Sequence, residues 1–148
     1  MPKGLTFDNS LLQLLFANNA SSAPISAMGS GLQASSTAGN LYVSLHTADP
    51  TASGNQTTNE ISYTGYARVA VPRSSAGFTV TGNQVFPASI ISFNQMTGGT
   101  GGTITHWSIG TASSGTGYIL YTGTCSPNIV MAAGITPQLL TTSNITEA

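Results

Sequence analysis

Charge is what this sequence has least of. Across 148 residues the only cations are Lys3, Arg68 and Arg73, and the only acids are Asp8, Asp49, Glu60 and Glu147, 5% in all, against roughly 25% in an average soluble domain. So few cations, with a net charge of −1, argue against nucleic acid as a partner, because a groove that tracks phosphates needs many more. Solubility must rest on Thr, Ser, Asn and Gly, and copies of such a chain can pack side by side with little mutual repulsion. Cys125 is the single cysteine, so no intrachain disulfide can form and a reducing site of synthesis is allowed. No apolar run approaches the roughly 20 residues that cross a bilayer as a helix, and no membrane partner is expected. The apolar patch Leu11–Phe16 is shorter and more amphipathic than a secretory h-region, so no secretory leader is expected either. Without one, the N-x-S/T triplets at Asn19, Asn55 and Asn144 read as chance matches.

Catalytic signatures are missing too. There is no G-x-S-x-G, no H-E-x-x-H and no cysteine set with zinc spacing. The tract Gly98-Gly-Thr-Gly-Gly102 has no Lys and opens no helix, so it is a turn rather than a phosphate loop. His46 and Asp49 are candidates for half a metal site or an oriented base, and Ser44 or Cys125 for a nucleophile beside them. Asp49 precedes Pro50, however, and an Asp at a strand end is more often a turn-maker that bonds its own backbone. Glycoside hydrolysis needs a carboxylate pair, and Asp49 and Glu60 are the two acids that bracket one loop. A salt bridge from Arg68 or Arg73 is the simpler use of them. The expectation is a protein that is not an enzyme, with no catalytic residue, no cofactor and no metal.

What the sequence does have is alternation. Leu41, Val43 and Leu45 fall on one face of a run whose other face carries Tyr42, Ser44 and His46, the period of a half-buried strand. A polar loop over Thr51–Asn59 follows, and the run Tyr66–Val71 closes a two-stranded unit ending near Arg73. Phe78–Val80 and Gln84–Phe86 flank Gly82-Asn83, a turn whose residues tolerate positive φ. Further short strands are expected at Ile90–Phe93, Thr103–Ile109, Tyr118–Thr122, Ile129–Met131 and Gln138–Thr142. The helical signal is FDNSLLQLLFA, Phe7–Ala17, with Phe7, Leu11, Leu14 and Leu15 on one face, Thr6 as N-cap and Asp8 in the first turn. Too short to be stable alone, it must pack on the domain's own sheet or in a neighbour's groove. Residues 18–40 are Ser/Ala/Gly-rich without a period and read as a long loop or extended arm. The pattern predicts an all-β fold, a jelly-roll-like β-sandwich with one short N-terminal α-helix. A single domain over 1–148 is expected, with helix and arm at 1–40, the β core at 41–142 and a frayed tail at 143–148.

The stretches LYVSLHTADP, QTTNEISYTGYARVAV and HWSIGTASSGTGYILYTG resemble small virion proteins of tailed bacteriophages and prophages. Such proteins are often described as tail-fibre proteins, and some relatives are capsid decoration (cement) proteins. The resemblance runs from about Leu5 to the C-terminus. It implies a structural virion protein made in the bacterial host cytoplasm. The first role it suggests is decoration of the outer capsid surface, bridging and stabilising the major capsid protein and associating with other copies of the chain as a dimer or trimer. A tail or tail-fibre component is the alternative, and a glycan-binding host-adsorption module is a second. Tyr63, Tyr66, Trp107 and Tyr118 are the aromatic interface candidates. Arg68 and Arg73 are the polar ones, each able to fork onto a partner carboxylate or carbonyl unless Glu60 or Asp49 satisfies it internally.

Overall fold

The computed structural model describes residues 3–31 and 33–147. It is a mostly β, antiparallel fold with one short N-terminal α-helix, as the alternation predicts, and it fits the all-β sandwich class. The chain gathers into two compact units. One takes the N-terminal segment up to Asn40, Pro72–Ile90 and the segment from Leu140 onward, and the other takes Leu41–Val71 and Ile91–Leu139.

In the first unit, helix α1 (Leu5–Ala17) packs on a three-stranded sheet of order β3 (Phe78–Thr81), β4 (Gln84–Pro87) and β9 (Ile145–Thr146). The helix thus uses the sheet of its own chain. It begins earlier than expected: Gly4 is the N-cap, its carbonyl accepting the N–H groups of Phe7 and Asp8, while Thr6 lies inside the first turn and its carbonyl accepts the Ser10 hydroxyl. Its buried residues are Asp8, Ser10, Leu12, Leu14 and Phe16. Of the predicted face only Leu14 is among them; Phe7, Leu11 and Leu15 are half-buried. The helix is covered on more than one side, because a 3-10 helix, Ile25–Gly31, also packs against it. Phe16 meets Phe78 edge to face with ring centroids 5.0 Å apart, a pairing worth about 0.5–1.5 kcal/mol beyond the area it buries.

Two expectations change in this unit. The segment 18–40 is folded back rather than extended: the Asn18 side chain bonds both the N–H and the carbonyl of Ser35, at 2.8 and 2.9 Å. Leu32, within that segment, lies outside the described residues. The tail is not frayed through Glu147. Ile145 is buried, β9 pairs antiparallel with β4 (Val85↔Ile145, Gln84↔Thr146), and the Glu147 N–H donates to the Asn83 carbonyl.

In the second unit a four-stranded sheet runs in the order β2 (Val69–Pro72), β1 (Asn40–His46), β6 (Gly102–Gly110) and β7 (Ile119–Met131). The two predicted strands flanking the polar loop are therefore neighbours, though the second starts at Val69 rather than Tyr66. β1 pairs antiparallel with β6, Leu45 opposite Trp107 and Ser44 opposite Ser108, and β6 pairs antiparallel with β7, Trp107 opposite Gly123. The two strands expected at 118–122 and 129–131 are one strand, interrupted where Cys125–Asn128 loop out opposite Thr105. The Trp107 ring lies against Gly123, where any Cβ would collide with the indole. A further pair, β5 (Ile91–Ser92) with β8 (Gln138–Leu139), completes the unit.

Replacing Phe16 by Ala should destabilise the folded chain by about 3–5 kcal/mol. Thermal or urea unfolding followed by circular dichroism reads this, with Thr79→Ala on the exposed side of β3 as a control expected within about 0.5 kcal/mol of wild type.

Candidate functional site

The polar cluster of the second unit lies along β1, with Gln56 bonded to the Tyr42 carbonyl and Glu60 bridged to His46. After β1 the chain turns at Asp49, whose carboxylate accepts the Thr51 N–H at 2.8 Å. Asp49 is thus the turn-maker its position before Pro50 suggests. The loop then returns alongside β1, with Thr47 N–H donating to the Asn59 carbonyl and Ile61 N–H to the Leu45 carbonyl. That return places Glu60 within reach of Arg68, just ahead of β2.

Arg68 forks onto Glu60, Nε to Oε1 at 2.7 Å and Nη2 to Oε2 at 2.8 Å. Its remaining donors reach the carbonyls of Ala112 (3.0 Å) and Gly115 (2.7 Å) in the β6–β7 connection. The Arg68 side chain is only 3% exposed, so this is a buried ion pair in which every guanidinium nitrogen makes at least one hydrogen bond. The Glu60 carboxylate holds the guanidinium further toward its charged form, against the opposing effect of burial. Tyr66 donates its hydroxyl to Glu60 Oε1 at 2.8 Å and accepts the Leu45 N–H at 3.1 Å. Burial, ahead of every other influence, raises the Tyr66 phenol and keeps it protonated. Gln56 adds a second tie. Buried completely, it accepts the Ala112 N–H through Oε1 and donates to the Tyr42 carbonyl, while its backbone N–H donates to the Thr116 carbonyl. Gly117, at φ +49°, lies so close to the Gln56 amide that no side chain fits there.

Beside this cluster lies an arrangement that resembles catalytic machinery. His46 Nδ1 is 2.8 Å from the Thr58 carbonyl and Nε2 is 2.8 Å from Ser108 Oγ, which is 2.8 Å from Ser44 Oγ. A carbonyl only accepts, so Nδ1 carries the proton, Ser108 donates to Nε2, and Ser44 donates to Ser108. Burial holds the imidazole below the ordinary histidine value of 6.5, opposed by the Thr58 carbonyl and the Glu60 charge. All three side chains are fully shielded from solvent. The hydroxyl that a nucleophile would use is closed off, and the chain of bonds serves to satisfy polar groups between strands. Cys125 stands apart in the outward loop of β7, where burial pushes its thiol up and away from the reactive thiolate. Among the described residues no cluster of His, Cys, Asp or Glu has the makings of a metal site.

Five of the six predicted interface residues are engaged within the chain. Arg68 is inside the cluster just described. Arg73 closes the C-terminal end of α1 in the other unit, donating to the carbonyls of Leu15 (2.7 Å) and Leu14 (2.9 Å) and to Asn18 Oδ1 (2.9 Å), where a cation also meets the negative end of the helix dipole. Tyr63 is buried with its hydroxyl on the Asn94 carbonyl, Tyr66 stacks near Phe93, and Trp107 is buried over Gly123. Tyr118 alone of the six stands in solvent, 80% exposed. Glu60 and Gln56, which hold the cluster together, carry no motif. The signal that pointed to Glu60 was its place across the loop from an Arg in a chain with few charges.

Residues 6–144 match the family model described as Gp80, Podophage GP4 fiber I protein gp80. No curated protein matches the chain. No helix among the described residues is long and apolar enough to cross a membrane.

Two measurements test the cluster. Arg68→Met or Glu60→Gln alone should cost about 3–5 kcal/mol in urea unfolding, because each strands a buried partner. The double variant should cost clearly less than the sum. His46 gives a pH signature. Its folded pKa is lowered, so an unfolded chain takes up a proton near pH 6.5 that the folded chain refuses. Stability is therefore full above about pH 7 and falls with acid, at up to about 1.4 kcal/mol per pH unit. His46→Asn should flatten that part of the profile.

Proposed function

The chain belongs to the podophage GP4 fiber I protein gp80 family, a family of phage structural proteins, and from that premise we propose that it is a non-enzymatic subunit of a virion fibre. The observation that carries the reading is how the charges are used. Lys3 pairs with Glu147 and lies 4.0 Å from Asp8, Arg68 pairs with Glu60, and Arg73 closes α1. Among the described charged side chains only the exposed Asp49 has no charged or helix-end partner. The outer surface is left to Thr, Ser, Asn, Gly and scattered apolar side chains. Such a surface suits permanent contact with protein, where desolvating it costs little and copies do not repel. It does not suit an anionic polymer such as nucleic acid.

A second reading, decoration of the capsid exterior with contacts to the major capsid protein, draws on the same neutral surface. It is favoured by the sequence, which carries no internal repeat, and by the described residues, which form no stalk-like helix. Bound only to the assembled shell, such a subunit would stabilise it by mass action. A glycan-adsorbing module has less behind it, because Tyr118 is the one open ring among the aromatic candidates.

Quantitative mass spectrometry of purified virions separates the two leading readings. A fibre subunit should be present at a small fraction of the major capsid protein's copy number. A ratio near parity overturns the fibre assignment in favour of decoration.

A further inference from the structure

An edge strand is a row of unpaired backbone donors and acceptors, and stable proteins blunt such edges with charge, proline, bulges or brevity. Most edges in this chain are blunted by brevity. β2 has four residues and ends in Pro72, β3 has four, and β5, β8 and β9 have two each. β7 is different. It is 13 residues long and lies at the end of its sheet, bonded to β6 on one side. Its stretch Ile119–Thr124 holds no charge and no proline. The pairing of that stretch with β6 shifts register once, at Leu120, and is continuous from Tyr121 to Thr124. Beyond it, Pro127 and the looped-out Cys125–Asn128 interrupt the edge. The open window is therefore six residues, fully uncharged, with the strand formers Ile119, Tyr121, Thr122 and Thr124 among them. One row of side chains beside this window, Tyr118, Leu120, Thr122 and Thr124, is solvent-exposed, although Ser108, the β6 neighbour of Thr122, is buried.

We propose that the open edge of β7 over residues 119–124 pairs with the same edge of a second copy of this chain, joining two four-stranded sheets into one continuous sheet. The partner is a second copy for two reasons. The window is neutral and the surface around it nearly so, which removes the repulsion that keeps like chains apart. And β7 is the only long open edge among the described strands, so a second copy has no other comparable edge to offer. The contact is then isologous, antiparallel and self-limiting, a closed two-fold pair rather than a growing ribbon. Main-chain hydrogen bonds supply the affinity and the exposed row of Tyr118, Leu120, Thr122 and Thr124 the fit. Arg68 and Gln56 serve this surface indirectly, since they fix the connection from which β7 starts. The proposal deepens the structural-subunit reading and rests on it.

The test uses Thr122, exposed in the middle of the window. Wild-type chain should be dimeric by analytical ultracentrifugation at micromolar concentration. The amides of residues 119–124 should exchange with deuterium more slowly as concentration rises. Thr122→Lys and Thr122→Glu each bring like charges together across the two-fold axis and should be monomeric with unchanged circular dichroism. Mixing the two in equal amounts should restore the dimer, a rescue that misfolding would not give. A monomeric wild type, a dimer in both single variants, or no rescue on mixing overturns the proposal. Since the copy number in virions is measured separately, a failure here does not touch the fibre assignment, nor the reverse.

Discussion

The second unit depends on the buried pair between Arg68 and Glu60. Each residue alone would be a costly charge in a shielded place, worth several kcal/mol of desolvation. Together, with Tyr66 and the carbonyls of Ala112 and Gly115, they leave no polar group of the pair unmet. The gain is geometric as much as energetic. Glu60 belongs to the return of the β1 loop, Arg68 to the approach to β2, and Ala112 and Gly115 to the connection between β6 and β7. One guanidinium thus fixes three segments that no regular hydrogen-bond ladder joins, and Gln56 repeats the tie from elsewhere in the same loop.

That pair is also one instance of a rule the whole chain follows. Lys3 meets Glu147 and Arg73 takes up the last carbonyls of α1. With so few ionisable groups, each is directed to holding a loop, a helix end or a terminus. The surface inherits what is left, which is polar but almost without charge. A fold built this way gives up long-range steering of partners. It gains tolerance of close, permanent packing in an assembly, and the phage structural family to which it belongs fits that character.

Much of the β architecture was legible because alternation survives in a neutral sequence. Leu41–His46, Phe78–Phe86 and Thr103–Ile109 all fall where their period placed them, and Gly82-Asn83 turns as its chemistry requires. The helix was legible in extent more than in face, since period reports one buried stripe while α1 is covered from two sides. Val69 begins β2 late because Tyr66 and Arg68, which alternate as strand residues, turn instead toward Glu60. The pairing of Ile145 with Val85 was hidden, for nothing local marks a two-residue strand whose partner lies so far away in the chain. The interface candidates illustrate the same limit. An Arg or Tyr on a polar strand face reads as free until a distant carboxylate or carbonyl is found against it. The sequence already raised Glu60 as such a partner for Arg68, but the Leu14 and Leu15 carbonyls that hold Arg73 carry no signal in composition.

In the proposed role the chain keeps every charged side chain but Asp49 on a partner of its own and meets its neighbours in the virion through a neutral surface. Washing purified virions at increasing sodium chloride, up to about 1 M where screening acts within roughly 3 Å, tests it most directly, with the bound fraction of the chain read by quantitative mass spectrometry. A neutral interface predicts that the fraction retained is unchanged from low salt to high. Progressive release as salt rises would show that ion pairs hold the chain in place, and would contradict the account.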